Sequence, residues 1–191
     1  TAADAKARAD EAKARAAGAT AALEAESATQ RLSRVSAALA DVLRWSVPKP
    51  PPESAWLDWA LATGPAGTTL RLTLLSDGPT PAGLADTLTN VLRHETGIAL
   101  TVAVDRLPRT ALDSAEPPDL AGLEAKVAPL KAHGLSLACT APDPAQARGR
   151  AKKRVEQARA GLEAAGLAPD SGERWVVRAA LPQSSPFTGA K

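Results

Sequence analysis

Arg148, Arg150, Lys152, Lys153 and Arg154 place five cations within seven positions, directly after the Pro-bracketed stretch "TAPDPAQA" (Thr140–Ala147). Cations at this density do one of two things. They converge on an anion through paired N–H groups, or they solvate the outer face of a helix. Periodicity separates the two. On a helix over Gln146–Ala165, the residues Ala151, Val155, Ala158, Leu162 and Ala165 recur at steps of four and three and form one narrow apolar stripe. Arg148, Lys152, Arg159 and Glu163 fall off that stripe and read as a wet face. Arg154 stands beside Val155 at the stripe's edge, where a guanidinium can reach a neighbouring pocket.

The other reactive residue types are sparse. His94 and His133 are the only histidines, each near the end of an expected helix and shortly before a glycine. A cation at a helix C-terminus is favoured by the backbone dipole, and that is the role expected of both. No H-E-x-x-H, His–Cys or Ser–His–Asp spacing is present, so neither catalysis nor a metal or other cofactor is expected. Cys139 is the single cysteine, which excludes an internal disulfide and a Cys-rich zinc site. It lies in the apolar run Leu135–Cys139 and reads as a buried, inert thiol. "SDGPTPAG" (Ser76–Gly83) joins a strand to a helix, where phosphates often bind. It lacks both glycine-rich phosphate patterns, and its prolines remove amide donors. Asp77 with Gly78 is a turn pair.

The elements that must carry these residues follow from composition and pattern. The 191 residues are 45% hydrophobic but only 3% aromatic, with neither Tyr nor Met. Alanine supplies much of the apolar count and buries little area, so the core is smaller than that fraction suggests. A net charge of +2 is close to balance and argues against a nucleic-acid partner. No apolar run reaches the length of a membrane span and no signal peptide is visible, so membrane attachment would need a span outside this chain. The chain opens in mid-helix without a cap, as expected of a piece of a longer protein.

Residues 1–46 read as a helical stem, with one Gly and no Pro over positions 2–45. Ala14, Gly18, Ala21, Ala25, Ala28, Leu32, Val35, Leu39 and Val42 repeat at heptad spacing, the seam of a coiled coil, with its apolar half starting at Leu32. Two readings stand: a stem that self-associates or takes a partner helix, and a single helix whose end docks on the domain. Trp45, Trp56 and Trp59 would pack that end. "VPKPPPES" (residues 47–54) is a Pro-rich linker. Residues 55–181 form the folded domain. Strands are expected at Trp56–Ala62, Thr69–Leu75, Ile98–Val104, Leu135–Cys139 and Arg174–Ala180. Helices are expected at Pro81–Glu95, Asp119–Ala132 and Gln146–Ala165, with a loop from Pro108 to Pro118. The class is α+β: one sheet of β-α-β units with helices on one face, its halves Thr69–Val104 and Leu135–Ala180. Leu72, Leu74, Val102, Val104, Leu137 and Val177 should be core. Residues 182–191 read as a disordered tail.

Arg154, Val155, Leu162 and Gly166 follow the spacing R-V-x-x-x-x-x-x-L-x-x-x-G. This resembles the helix of the OmpA-like peptidoglycan-binding domain. "DLAGLEAKVAPLKAHGLSLACTA" resembles that family's helix-then-strand before its Thr-Asp loop, and "GLAPDSGERWVVRAAL" its last turn and strand. The likeness spans about Asp119–Leu181. It implies that Arg154 would pair with a carboxylate of the wall peptide's diaminopimelate. Thr140 matches the family's Thr, and Asp143 stands two residues late for its Asp. The reading that results is a non-enzymatic scaffold or interaction module, the soluble part of a bacterial membrane or cell-envelope protein. The alternative is a peptidoglycan-binding module using Arg154. A cytoplasmic location stays open.

Overall fold

The computed structural model describes residues 2–45 and 48–181; the tail expected at 182–191 lies outside the described residues. The α+β class holds, and the chain opens with the long helix α1 (Ala2–Trp45). Strands β1 (Ala55–Gly64) and β2 (Gly67–Leu75), helix α2 (Leu84–Thr96) and strand β3 (Leu100–Leu107) come next. The second half runs β4 (Thr110–Ser114), α3 (Leu120–Ala132), β5 (Leu137–Pro142), α4 (Gly149–Ala164), β6 (Asp170–Gly172) and β7 (Trp175–Ala179).

The expected single sheet is two. The first has the order β1-β2-β3 and the second β4-β7-β5-β6. In the first, β1 and β2 form an antiparallel hairpin closed between Gly64 and Gly67, and β3 lies parallel to β2 after the α2 crossover. In the second, β7 runs antiparallel to both β4 and β5, and only β6 is parallel to β5. The half expected to be Leu135-to-Ala180 β-α-β therefore closes its parallel crossover on β6, and β7 folds back into the middle. Both β4 and β6 lay in stretches expected to be loop. "TALDS" has no strong β-former beyond its Thr, and "DSG" is turn composition; pairing with β7 and β5 overrides both local preferences.

The strand Trp56–Ala62 is present and carries a correction to simple alternation. Trp56 and Trp59 are three apart and would face opposite sides of a regular strand. The register slips between Trp56 and Asp58, a bulge at Leu57, so Trp56 pairs with Leu74 and Trp59 with Leu72. Both tryptophans then join the same core as Leu70, Leu72 and Leu74, while Leu57 packs into a different cluster. Trp45, by contrast, is 75% exposed and packs nothing down.

Three members of the heptad seam, Val35, Leu39 and Val42, are buried with Leu43 against this sheet and the α2 residues Leu84, Leu88 and Leu92. The stem's end thus docks on its own chain. Leu32 is 46% exposed, and Ala14, Gly18, Ala21 and Ala28 are exposed. The second core gathers Leu123 and Val127 of α3, Leu162 of α4 and Cys139, Ala141, Trp175 and Val177 of its sheet. Of the expected core residues, Leu72, Leu74, Val102 and Val177 are buried, and Val104 and Leu137 are half-buried.

A third cluster joins the halves: Leu75, Leu130 and Ala179, with Leu57, Leu107 and Leu135 against them. Polar ties surround it. The Asp77 carboxylate accepts the Thr110 amide at 2.7 Å and the Thr110 hydroxyl at 2.7 Å, and Arg178 Nη2 stands 3.4 Å away. Arg109 donates through Nε to the Ala179 carbonyl at 3.0 Å and through Nη1 to Glu53 at 2.8 Å. Partial burial works against the Asp77 anion. The Thr110 hydroxyl and amide, Arg178 and the Arg109 amide outweigh it and hold its pKa below the ordinary 3.8. A depressed carboxylate pKa adds stability that is present above the unfolded value and lost as pH falls through the folded one. Asp77→Asn should therefore cost about 1–2 kcal/mol near neutrality, a charged hydrogen-bond set discounted for solvent. The gap from wild type should close below about pH 4 in urea titrations run across pH; a gap unchanged into acid would place the loss elsewhere.

Candidate functional site

Helix α4 positions Arg154 as its spacing implied. Leu162 is buried, Val155 and Ala158 are half-buried on the inward face, and the terminal stripe members Ala151 and Ala165 are exposed. One residue before Val155, Arg154 lines a shallow cleft of about 280 Å³ with Glu116, Pro117, Pro142, Val155 and Trp175. Its Nη2 lies 3.5 Å from Glu116 Oε2, and the two side chains are 68% and 77% exposed. The Ser114 hydroxyl accepts the Glu116 amide at 3.1 Å and steadies that acid's turn. The cleft thus offers one cation, one anion and an apolar floor, all open to water.

Thr140 and Asp143 do not join it. The Thr140 hydroxyl donates to the Arg174 carbonyl at 3.3 Å, on a β5 residue paired with Asp170 of β6. Asp143 Oδ1 accepts the Ala145 amide at 2.8 Å and closes the turn between Pro142 and Pro144. Both spend their polar atoms on the loop and the strand edge. Pro142 brings that loop to the cleft; the two residues named from the resemblance do not line it.

Two residues escaped the sequence reading. Glu116 sits in "AEPP", where a carboxylate before two prolines gives no spacing signal. Arg159 was placed on the wet face, because it falls off the apolar stripe of its helix. Its guanidinium instead donates through Nη1 to the carbonyls of Ala141 at 3.2 Å and Pro142 at 3.3 Å, and through Nη2 to Pro169 at 2.8 Å. It ties α4 to the end of β5 and to the entry of β6. The rest of the cluster is solvated: Arg148, Arg150, Lys152 and Lys153 are exposed, and Lys152 meets Glu156 at 3.8 Å.

The remaining candidates have structural posts. His133 caps α3, and its Nδ1 lies 3.0 Å from Asp58 Oδ2, across the junction between the halves. His94 lies in the last turn of α2. Cys139 is buried as a free thiol; burial pushes its pKa up, Arg159 pulls it down and Asp170 raises it again. Among the described residues no group of three His, Cys, Asp or Glu side chains is placed to hold a metal, and no helix is long and apolar enough to cross a membrane. No protein-family model, curated protein or solved structure matches the chain.

Arg154 and Arg159 of α4 should separate in denaturation experiments. Arg159→Ala strands three backbone carbonyls around a half-buried site and should cost about 1.5–3 kcal/mol. Arg154→Ala removes an exposed ion pair and should stay within about 0.5 kcal/mol of wild type.

Proposed function

We propose that this chain is a non-enzymatic scaffold or interaction module, the soluble part of a bacterial membrane or envelope protein. One observation carries the reading. Helix α1 is 44 residues long, yet among its described side chains the buried ones begin only at Val35. The preceding residues extend about 50 Å at the 1.5 Å rise of a helix. Such an arm spaces or recruits; it contributes nothing to a closed active site. Its exposed seam of Ala14, Gly18 and Ala21 is narrow enough for a second helix to approach closely, so self-association through the arm fits the same geometry. Small-angle scattering with light-scattering mass tests this. A compact chain of this length has a radius of gyration of about 16 Å. The full chain should measure well above that, and removing residues 2–24 should restore it with little change in melting temperature. A compact full-length particle would remove the arm.

A second reading, peptidoglycan binding, draws on one observation beyond the resemblance of residues 119–181 to OmpA-like domains. Glu116 sets a carboxylate beside Arg154, so a ligand's carboxylate and ammonium would each meet an opposite charge. Against it, Thr140 and Asp143 are committed elsewhere, and charges this exposed gain little on pairing. Calorimetry with a diaminopimelate-containing stem peptide should give no saturable heat. Saturable binding lost in both Arg154→Ala and Glu116→Gln would put wall binding first.

A further inference from the structure

Where the arm leaves the first sheet, Arg31 and Arg34 of α1 line a cleft of about 460 Å³ against the β1–β2 turn and the end of α2. Ser27, Gln30, Thr63 and Thr68 complete its polar wall; the rest of the described lining is glycine and aliphatic, with no carboxylate among the described residues. Neither arginine has an ionic partner among the described residues. The sequence explains why: one turn away, Arg31 finds Ser27, Ala28, Arg34 and Val35, and Arg34 finds Gln30, Arg31, Ala37 and Ala38. Two like charges at this spacing repel and destabilise a helix unless something neutralises them. Thr68 is buried, at 8% exposure, and its hydroxyl meets the Thr63 hydroxyl only at a long 3.4 Å. The carboxyl end of α2 offers about half a negative charge, which works against an anion here but leaves most of the two guanidinium charges uncompensated.

From this we propose that the cleft is a phosphate-binding site, taking a phosphomonoester or inorganic phosphate as a dianion. A phosphate carries between about −1.5 and −2 charges at neutral pH and three acceptor oxygens. Two guanidinium forks and two threonine hydroxyls match that charge and that number of acceptors; a lone carboxylate would leave half the donors idle. Bound there, the anion would bridge α1 to the β1–β2 turn and stiffen the arm at its exit. The phosphate could come from a soluble ester or from a lipid headgroup, which share this chemistry.

The test uses the full chain at low ionic strength in two arms. Inorganic phosphate is titrated by calorimetry, and vesicles of phosphatidylcholine with and without phosphatidic acid are used for co-sedimentation. Each arm is repeated with Arg31→Gln, Arg34→Gln and, as an exposed cation elsewhere, Lys153→Gln. The expected result is saturable phosphate binding, weakened at least about tenfold by either arginine change and untouched by Lys153→Gln. Capture by phosphatidic acid vesicles with the same variant pattern assigns the phosphate to a headgroup; its absence assigns it to a soluble ester. A rise in melting temperature with phosphate but not chloride gives a second readout, lost in the same variants. Failure to saturate in both arms, or arginine variants that bind like wild type, would overturn the site.

Discussion

The fold depends on a short polar seam where two small sheets meet. Neither core is large: one rests on Leu, Val and two Trp residues, the other on a single Trp with Leu, Val, Ala and Cys side chains. Each would be marginal alone. What makes them one body is that β2 ends, β4 begins and β7 passes at the same point, and Asp77, Thr110 and Arg178 bind there. A carboxylate with two donors from one threonine fixes that residue's backbone as well as its side chain, and so fixes where β4 starts. Arg109, one residue earlier, ties the same corner to Ala179 and Glu53. The arrangement is tight enough that Arg178 Nε is buried without a hydrogen-bond partner among the described residues. The apolar patch of Leu75, Leu130 and Ala179 beneath it then excludes water from the contact.

Legibility in the sequence followed physical strength. The helices and the long strands were legible because periodic burial writes itself into spacing: Leu84, Leu88 and Leu92, or Leu70, Leu72 and Leu74, need no tertiary knowledge to be grouped. The sheet count was not legible. β4 and β6 are made by their neighbours, and a three-residue strand of Asp, Ser and Gly carries no pattern of its own. The direction of β7 was hidden for the same reason, because alternation is identical in parallel and antiparallel strands. The seam Val35, Leu39, Val42 was visible as apolar, but a heptad says only that something covers it, not whether the cover is another helix or the chain's own sheet.

The cations show the limit most sharply. Arg154, Arg159 and Arg34 each sit on a helix. One meets the exposed Glu116 at 3.5 Å, one ties three carbonyls together, and one faces a cleft with no acid among its described lining residues. Nothing local distinguishes them. The difference lies in what the fold brings opposite: a Pro-flanked turn, a strand end, or a hairpin tip. Thr140 and Asp143 make the converse point, since a sequence match placed them near Arg154 and the backbone consumed their polar atoms first.

The order β4-β7-β5-β6 also carries a consequence for how the molecule comes off the ribosome. The first sheet and its helices are complete by Leu107, so that half can close while synthesis continues. The second cannot. Its central strand is the last one made, and β4 has no neighbour in the sheet other than β7. Until Trp175–Ala179 has emerged, β4 and the inner edge of β5 wait with unpaired backbone, and Trp175 is missing from the core it fills. At roughly 5–20 residues per second the stretch from β4 to β7 takes several seconds to appear. Over that interval the nascent chain is a finished half trailing an open one, and its vulnerability to mispairing and proteases is set by translation rather than by stability.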